Sequence, residues 1–288
     1  MSGATLSIDP AKIAAARAAN PRAFAPPLWR RLLVAGLTLL AAAYLVSLLE
    51  RMGFTPAHLA QGSDKLGLIV RQMIPPSDDG FLPQMLKAIG ETVAMAFLST
   101  SIAVVLALPF GFLGAKTVVR NGPTHFLLRL VFDFFRGVPT LIWALIFVRA
   151  TGLGPMAGIL ALIASDFAAL SKLNAEAIEN VDQRPVDGLR AAGASPVVAM
   201  RLGVLTQVLP VMTSQALYAF ESNVRSAAIL GVVGAGGIGY ELQTRIRINE
   251  WDQVAFIILM FLVVVAAIDW GSQRLRERQM NAGLAPKR

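Results

Sequence analysis

Gly234, Gly236 and Gly239 fall at G-x-G-x-x-G spacing, with Glu250 and Asp252 near the offset at which an acid would meet a ribose. Such glycines hold a pyrophosphate only at a strand-to-helix turn inside a βαβ unit. Here the flanks are apolar runs of membrane-span length, which sets nucleotide binding aside. Glycines this dense instead serve close helix packing, or backbone that lines a polar cavity at membrane depth. No G-x-x-x-x-G-K-[ST] loop occurs; residues 110–117 come nearest, with Phe110 and Ala115 where glycines are required. Any ATP chemistry, with its magnesium, therefore belongs to another chain. The sequence has no cysteine, which excludes disulfides, thiol catalysis and cysteine metal sites. His58 and His125 stand too far apart for a cluster and read as surface residues. No nucleophile–base pair is visible, so neither an enzyme nor a cofactor is expected.

The remaining chemistry is charge inside apolar sequence. Glu221 and Arg225 lie four apart, and Asp133 and Arg136 three apart, so a helix would let each pair meet on one face. Asp166 stands nearly alone in an apolar run. A charge at the bilayer centre costs at least about 2.5–3.5 kcal/mol, so such residues face a bundle interior, a water-filled cavity or a partner.

The elements that position them follow from composition. The 288 residues are 55% hydrophobic and 15% charged, with a mean hydropathy of +0.60. Soluble domains carry about 25% charged residues. The net charge of +8 follows basic residues flanking apolar runs, with no aromatic-interleaved patch for nucleic acid. Spans of about 20 apolar residues are predicted at 32–49, 92–115, 126–148, 156–173, 204–220 and 254–268, the third entering through 126–135 and continuing as one crossing. An all-α membrane protein of about six transmembrane helices results. Of the 26 Lys and Arg, 18 fall on the side of the termini and 8 on the other. That asymmetry predicts cytoplasmic termini: a segment 1–31, a membrane domain 32–270 and a basic tail 271–288. Asp9-Pro10 and Asn20-Pro21 bracket a short surface helix. After Ser63, Leu66, Ile69, Val70 and Met73 form an apolar face suited to the outer interface.

One polar interruption, residues 174–203, separates the fourth and fifth spans. Within it residues 187–192 form a short helix, and Gly193-Ala194-Ser195-Pro196 stop and turn it. A rigid knob at the membrane edge suits docking. This loop resembles the coupling motif of ABC importer permeases, with Asp187 at the acidic position, Gly188 and Leu189 at the two small positions, and Gly193 at the glycine. Leu205-Thr206 stands where a leucine-proline pair is usual, and Leu209-Pro210 follows. Residues 220–239, FESNVRSAAILGVVGAGGIG, closely resemble the signature segment of phosphonate-transport permeases. Glu91-Thr92, residues 108–111 and residues 136–141 add matches.

The resemblance implies a type I ABC importer permease fold with a cytoplasmic coupling helix, in a bacterial inner membrane. Asp187, Gly188, Leu189, Ala192, Gly193, Ala194 and Ser195 would dock on an ATPase dimer. A second permease subunit, a periplasmic binding protein and the lipid bilayer are the other expected partners. The cargo would be a phosphonate, phosphite, hypophosphite or phosphate. Glu221, Asn223, Arg225, Ser226, Gly234, Gly236, Gly237 and Gly239 are the candidate pathway residues. Arg225, placed by the span boundaries at the outer mouth, either attracts the anion or only neutralises Glu221. A methionine importer of the same architecture, and an ion-coupled transporter using Asp166 or Glu221, are the alternatives.

Overall fold

The computed structural model describes residues 28–119 and 121–284. The expected N-terminal surface helix and the end of the basic tail lie outside the described residues. Every regular element among the described residues is helical. The chain divides at Leu68 and Ile69 into two compact units. The first contains α1 (Leu28–Arg51) and most of α2 (Pro56–Gln72). No charged residue falls between Arg31 and Glu50, so α1 can cross a bilayer unaided. The apolar face of α2 belongs to a helix that begins seven residues before Ser63, because Pro56 sits at its first position.

The second unit holds the rest: α3 (Leu82–Gly114), α4 (Gly122–Gly137), α5 (Thr140–Thr151) and α6 (Pro155–Glu179) come first. The short α7 (Gln183–Ala191) and α8 (Pro196–Ala199) follow, then a π-helical turn, Met200–Leu205, running into α9 (Thr206–Leu230). A second π-helical turn, Gly231–Ala235, leads to α10 (Gly237–Arg247) and the long α11 (Trp251–Leu284). Prolines at the starts of α3, α4, α6 and α8 explain several boundaries, since the missing N–H costs nothing there.

Among the described residues five helices are long and apolar enough to cross a membrane, and α4 with α5 makes a sixth candidate bent by 84°. The single crossing expected over 126–148 is thus broken. Val138 precedes Pro139 and adopts extended backbone (φ −92°, ψ 119°), as a residue before proline prefers.

Packing is most extensive between α3 and α6. The buried residues of both helices are largely small, Ala96, Ala103, Ala107 and Gly111 on α3 and Ala157, Gly158, Ala161 and Ala175 on α6, and Gly111 approaches the backbone of Ser171 and Ala175. Lipid offers no less apolar surroundings than a neighbouring helix, so close approach of small residues supplies the cohesion. At Gly111 a Cβ would stand 2.6 Å from Cβ of Asn174. Asn174 and the five residues after it belong to α6, so the polar interruption starts as an extension of a span. Likewise α11 runs unbroken through the boundary expected at 270.

The ends of these helices nearest α7 are tied by charge. Arg129 meets Glu179 at 3.1 Å, and Glu179 also accepts the backbone N–H of Lys116 at 2.8 Å. Asp133 pairs with Lys172 of α6 at 2.6 Å, replacing the expected Arg136. His125, expected at the surface, is buried at 7% exposure on the same face of α4 as Phe132. His58 is exposed, as expected.

Candidate functional site

The knob between α6 and α9 is built from local rules. Asp182 caps α7, its carboxylate accepting the N–H of Arg184 at 3.0 Å, so the helix begins four residues before the predicted start at 187. Its end is a Schellman motif: the Gly193 N–H reaches Arg190 O at 3.0 Å and the Ala194 N–H reaches Leu189 O at 3.0 Å. Gly193 supplies the left-handed residue this motif requires, at φ +80°. Ser195 then caps α8, accepting the N–H of Val198. Val186 is buried, and half-buried Leu189 packs beside it against Gly203 of the π-helical turn. Leu189, placed among the docking residues by sequence, therefore anchors the knob from within. Asp187, Gly188, Ala192, Gly193 and Ser195 are exposed, and Ala194 is partly so. No atom lies within 4 Å of where a Cβ would stand on Gly188 or Gly193. The knob is thus rigid, mounted from below and open above.

At the opposite end of the bundle lies the glycine-rich segment. Its two readings resolve residue by residue. A Cβ on Gly239 would lie 1.8 Å from Ala228 O, and one on Gly237 2.4 Å from Oγ1 of Thr92. Thr92 Oγ1 also accepts the N–H of Ile238 at 2.8 Å. Gly236 lies against Pro155. These three glycines serve packing. Gly234 is also buried and close-packed, a Cβ there standing 2.3 Å from Leu153, and it borders an open cleft as well.

The charges within the spans form a crossed ladder between antiparallel α9 and α11. Glu221 is bound by Arg276 at 2.8 Å, and Arg225 by Asp269 at 3.3 Å. The expected Glu221–Arg225 pair is therefore replaced by two interhelical pairs. Asp269 and Arg276 are seven apart and share a face of α11, as Glu221 and Arg225 share a face of α9. Arg225 also lies inside α9 rather than beyond its end, because that helix runs ten residues past Phe220. The Glu221 side chain is 8% exposed, whereas those of Arg225 and Asp269 are 46% and 44% exposed. An ion pair half open on helices long enough to span would carry a large cost against lipid, so a place against protein or water suits it better. Ser226 beside it is half-buried.

Asn223 is buried and bridges three helices. Its amide donates to Thr100 Oγ1 at 2.8 Å and to Asp166 Oδ2. Thr100 in turn donates to Ala96 O at 2.7 Å. Asp166, without an assigned role from sequence, thus belongs to a polar tie joining α3, α6 and α9. Among the described residues no group of His, Cys, Asp and Glu could hold a metal.

A further cluster clamps α10. Arg245, 6% exposed, meets Glu241 at 3.3 Å and donates to Gln253 Oε1 at 2.7 Å, with Phe81 stacked 4.9 Å from its guanidinium. Gln84 donates to Glu241 at 2.9 Å, and Gln253 to Asp79 at 3.1 Å. The hydroxyl of Ser77, first, and then the Gln253 amide hold the Asp79 carboxyl below its ordinary range. Arg245→Met leaves the Glu241 side chain, 12% exposed, without its cation, and loss of one partner from a buried pair costs up to about 3–5 kcal/mol. We expect a clearly lower melting temperature in detergent, whereas exposed Arg247→Met melts as the wild type does. Equal melting of both variants would remove the clamp. Arg245, Asp269, Arg276 and Thr100 escaped the sequence reading; the seven-residue spacing of Asp269 and Arg276 was the available signal for two of them.

Apolar helices of spanning length, an internal ladder of charge and an exposed knob at one end define a multi-pass membrane translocation subunit. The profile of the family described as binding-protein-dependent transport system inner membrane component matches residues 107–280, and the chain belongs to that family. It is 38% identical over 240 residues to the putative phosphite transport system permease protein HtxC of Stutzerimonas stutzeri, covering 83% of each chain. It is 36% identical over 260 residues to the phosphite transport system permease protein PtxC of the same organism, covering 89% of this chain and 92% of that one. Among solved structures, the inward-facing MetNI methionine ABC transporter aligns with a TM-score of 0.63 over 70% of this chain and 99% of that one. At 21% identity that likeness shows the fold alone.

Proposed function

We propose that this chain is the translocation subunit of an ATP-driven importer that carries a phosphorus oxyanion, a phosphonate or phosphite above all, into the cytoplasm. The observation that carries the mechanism is the knob: a capped helix fixed by Val186 and Leu189 beneath and bare at Gly188 and Gly193 above. Such a projection transmits force only if something grips it. A pair of ATPase subunits is the partner it fits, with ATP and magnesium bound there. The cargo reading rests on the identity with phosphite permeases over most of both chains. A methionine importer shares the fold at lower identity. A second permease copy and a periplasmic binding protein complete the assembly. Both termini and the knob face the cytoplasm, in keeping with the uneven placement of Lys and Arg.

The half-exposed Arg225–Asp269 pair gives the pathway its candidate charge, with Glu221, Asn223 and Ser226 on the same helix holding its setting. If Arg225 meets the passing anion, Arg225→Met impairs uptake while assembly persists, and Asp269→Leu in addition does not restore it. Full rescue by the double variant would reduce the pair to a structural one. The function itself is tested by ATP hydrolysis in the purified complex. Binding proteins loaded with phosphite or a phosphonate should stimulate it, and one loaded with methionine should not; stimulation by methionine alone would reverse the assignment.

A further inference from the structure

A cleft of about 600 Å³ opens between α5, the Gly231–Ala235 turn and α10, at the end of the bundle opposite the knob. Its two walls differ in chemistry. One is apolar, made by Leu145, Leu153, Val232 and Val233. The other is a stripe along one face of α10, where Tyr240, Gln243 and Arg247 follow at spacings of three and four.

Arg247 is the one charged residue lining the cleft. Of the acids flanking the end of α10, Glu241 is held by Arg245 and Gln84, and Glu250 faces Arg245 at 3.9 Å with its side chain partly exposed. Among the described residues the guanidinium of Arg247, the amide of Gln243 and the phenol of Tyr240 make no hydrogen bond or ion pair. Three donors on one helical face, unspent and beside an apolar wall, form a half-built site. The Arg245 clamp fixes α10 from behind, so the stripe is presented by a rigid element. A guanidinium takes two oxygens of a phosphorus oxyanion at once. The facing leucines and valines would take a hydrogen or small alkyl group on phosphorus, where a hydroxyl would lose its water without replacement.

We propose that this cleft is a binding site for a phosphorus oxyanion bearing hydrogen or a small alkyl group, met by the anion before it enters the spans. The proposal rests on the oxyanion reading above and adds a place and a selectivity to it. The same P–O⁻ chemistry is offered by a phospholipid headgroup, and the test separates the two sources.

Radiolabelled ethylphosphonate is equilibrated with the purified complex, without binding protein, in a phosphate-free detergent. Saturable binding is expected, weakened about tenfold or more in Arg247→Met, as loss of a charged hydrogen bond implies, and partly kept in Arg247→Lys. Unlabelled ethylphosphonate should compete better than inorganic phosphate. No saturable binding, binding unchanged in Arg247→Met, or equal competition by phosphate would overturn the site. Displacement by added phosphatidylglycerol at low mole fraction would also overturn it, marking the cleft as a headgroup seat. Uptake of phosphite by the complete assembly is measured in parallel. Intact ATP-dependent uptake with no binding at the cleft would leave the function standing and remove only the site.

Discussion

Gly193→Glu will leave the protein in the membrane and abolish uptake. At φ +80° the residue sits in the left-handed region, where any side chain costs about 1–2 kcal/mol. The Schellman hydrogen bonds to Arg190 and Leu189 depend on that conformation, and with them the angle at which α7 leaves the knob. Space inside this chain is not the obstacle, since nothing lies within 4 Å of the missing Cβ. The obstacle is the proposed partner: under the docking proposal, glutamate adds bulk and charge where that chain would approach the backbone. Gly193→Asn, which tolerates the left-handed region, should keep part of the activity. Uptake per permease and the amount of ATPase co-purified with each variant decide the matter. Normal uptake by a well-expressed Gly193→Glu variant would remove the coupling role from this loop.

Gly239→Ala should be the most damaging substitution for folding. The added methyl would stand 1.8 Å from Ala228 O and 3.0 Å from Gly231 Cα, so backbone rather than a flexible side chain must move. Overpacking typically costs about 1–3 kcal/mol and more when backbone is displaced, and here α9, the π-helical turn and α10 would all shift. A sharply lower yield and melting temperature are expected. Gly90→Ala in α3, with nothing within 4 Å, is the control and should behave as the wild type or slightly better. Equal stability of the two variants would refute the close packing.

Where sequence was legible, the physics was local or one-dimensional. Spans follow from apolar run length, and the knob follows from a cap, a glycine and a proline at fixed offsets. Pro139 is equally visible, but it signals a helix break without its consequence: the 84° bend between α4 and α5 is a matter of tertiary placement. The charges show the limit most clearly. Helical spacing of four allowed Glu221 and Arg225 to pair, and each is instead bound from α11. A single helix cannot report which of two good partners lies closer, because that depends on the register of two antiparallel helices. The same blindness hid His125, since the buried face of α4 is set by its neighbours. The density of the glycine cluster allows packing or cavity lining, and only the neighbours decide: Ala228 O, Thr92 and Leu153 crowd Gly239, Gly237 and Gly234, while Gly234 also borders the cleft.

The central claim, ATP-driven import of a phosphorus oxyanion through this chain, is met most directly by transport in a closed system. The permease, its ATPase and its binding protein are reconstituted in liposomes with the ATPase facing out, and loaded vesicles are followed for movement of phosphite across the bilayer. Movement toward the ATPase side is expected, requiring ATP hydrolysis and persisting when an ionophore collapses the ion gradients. Movement that continues without the ATPase and stops with the ionophore would contradict the claim, and would assign the membrane charges to ion coupling instead.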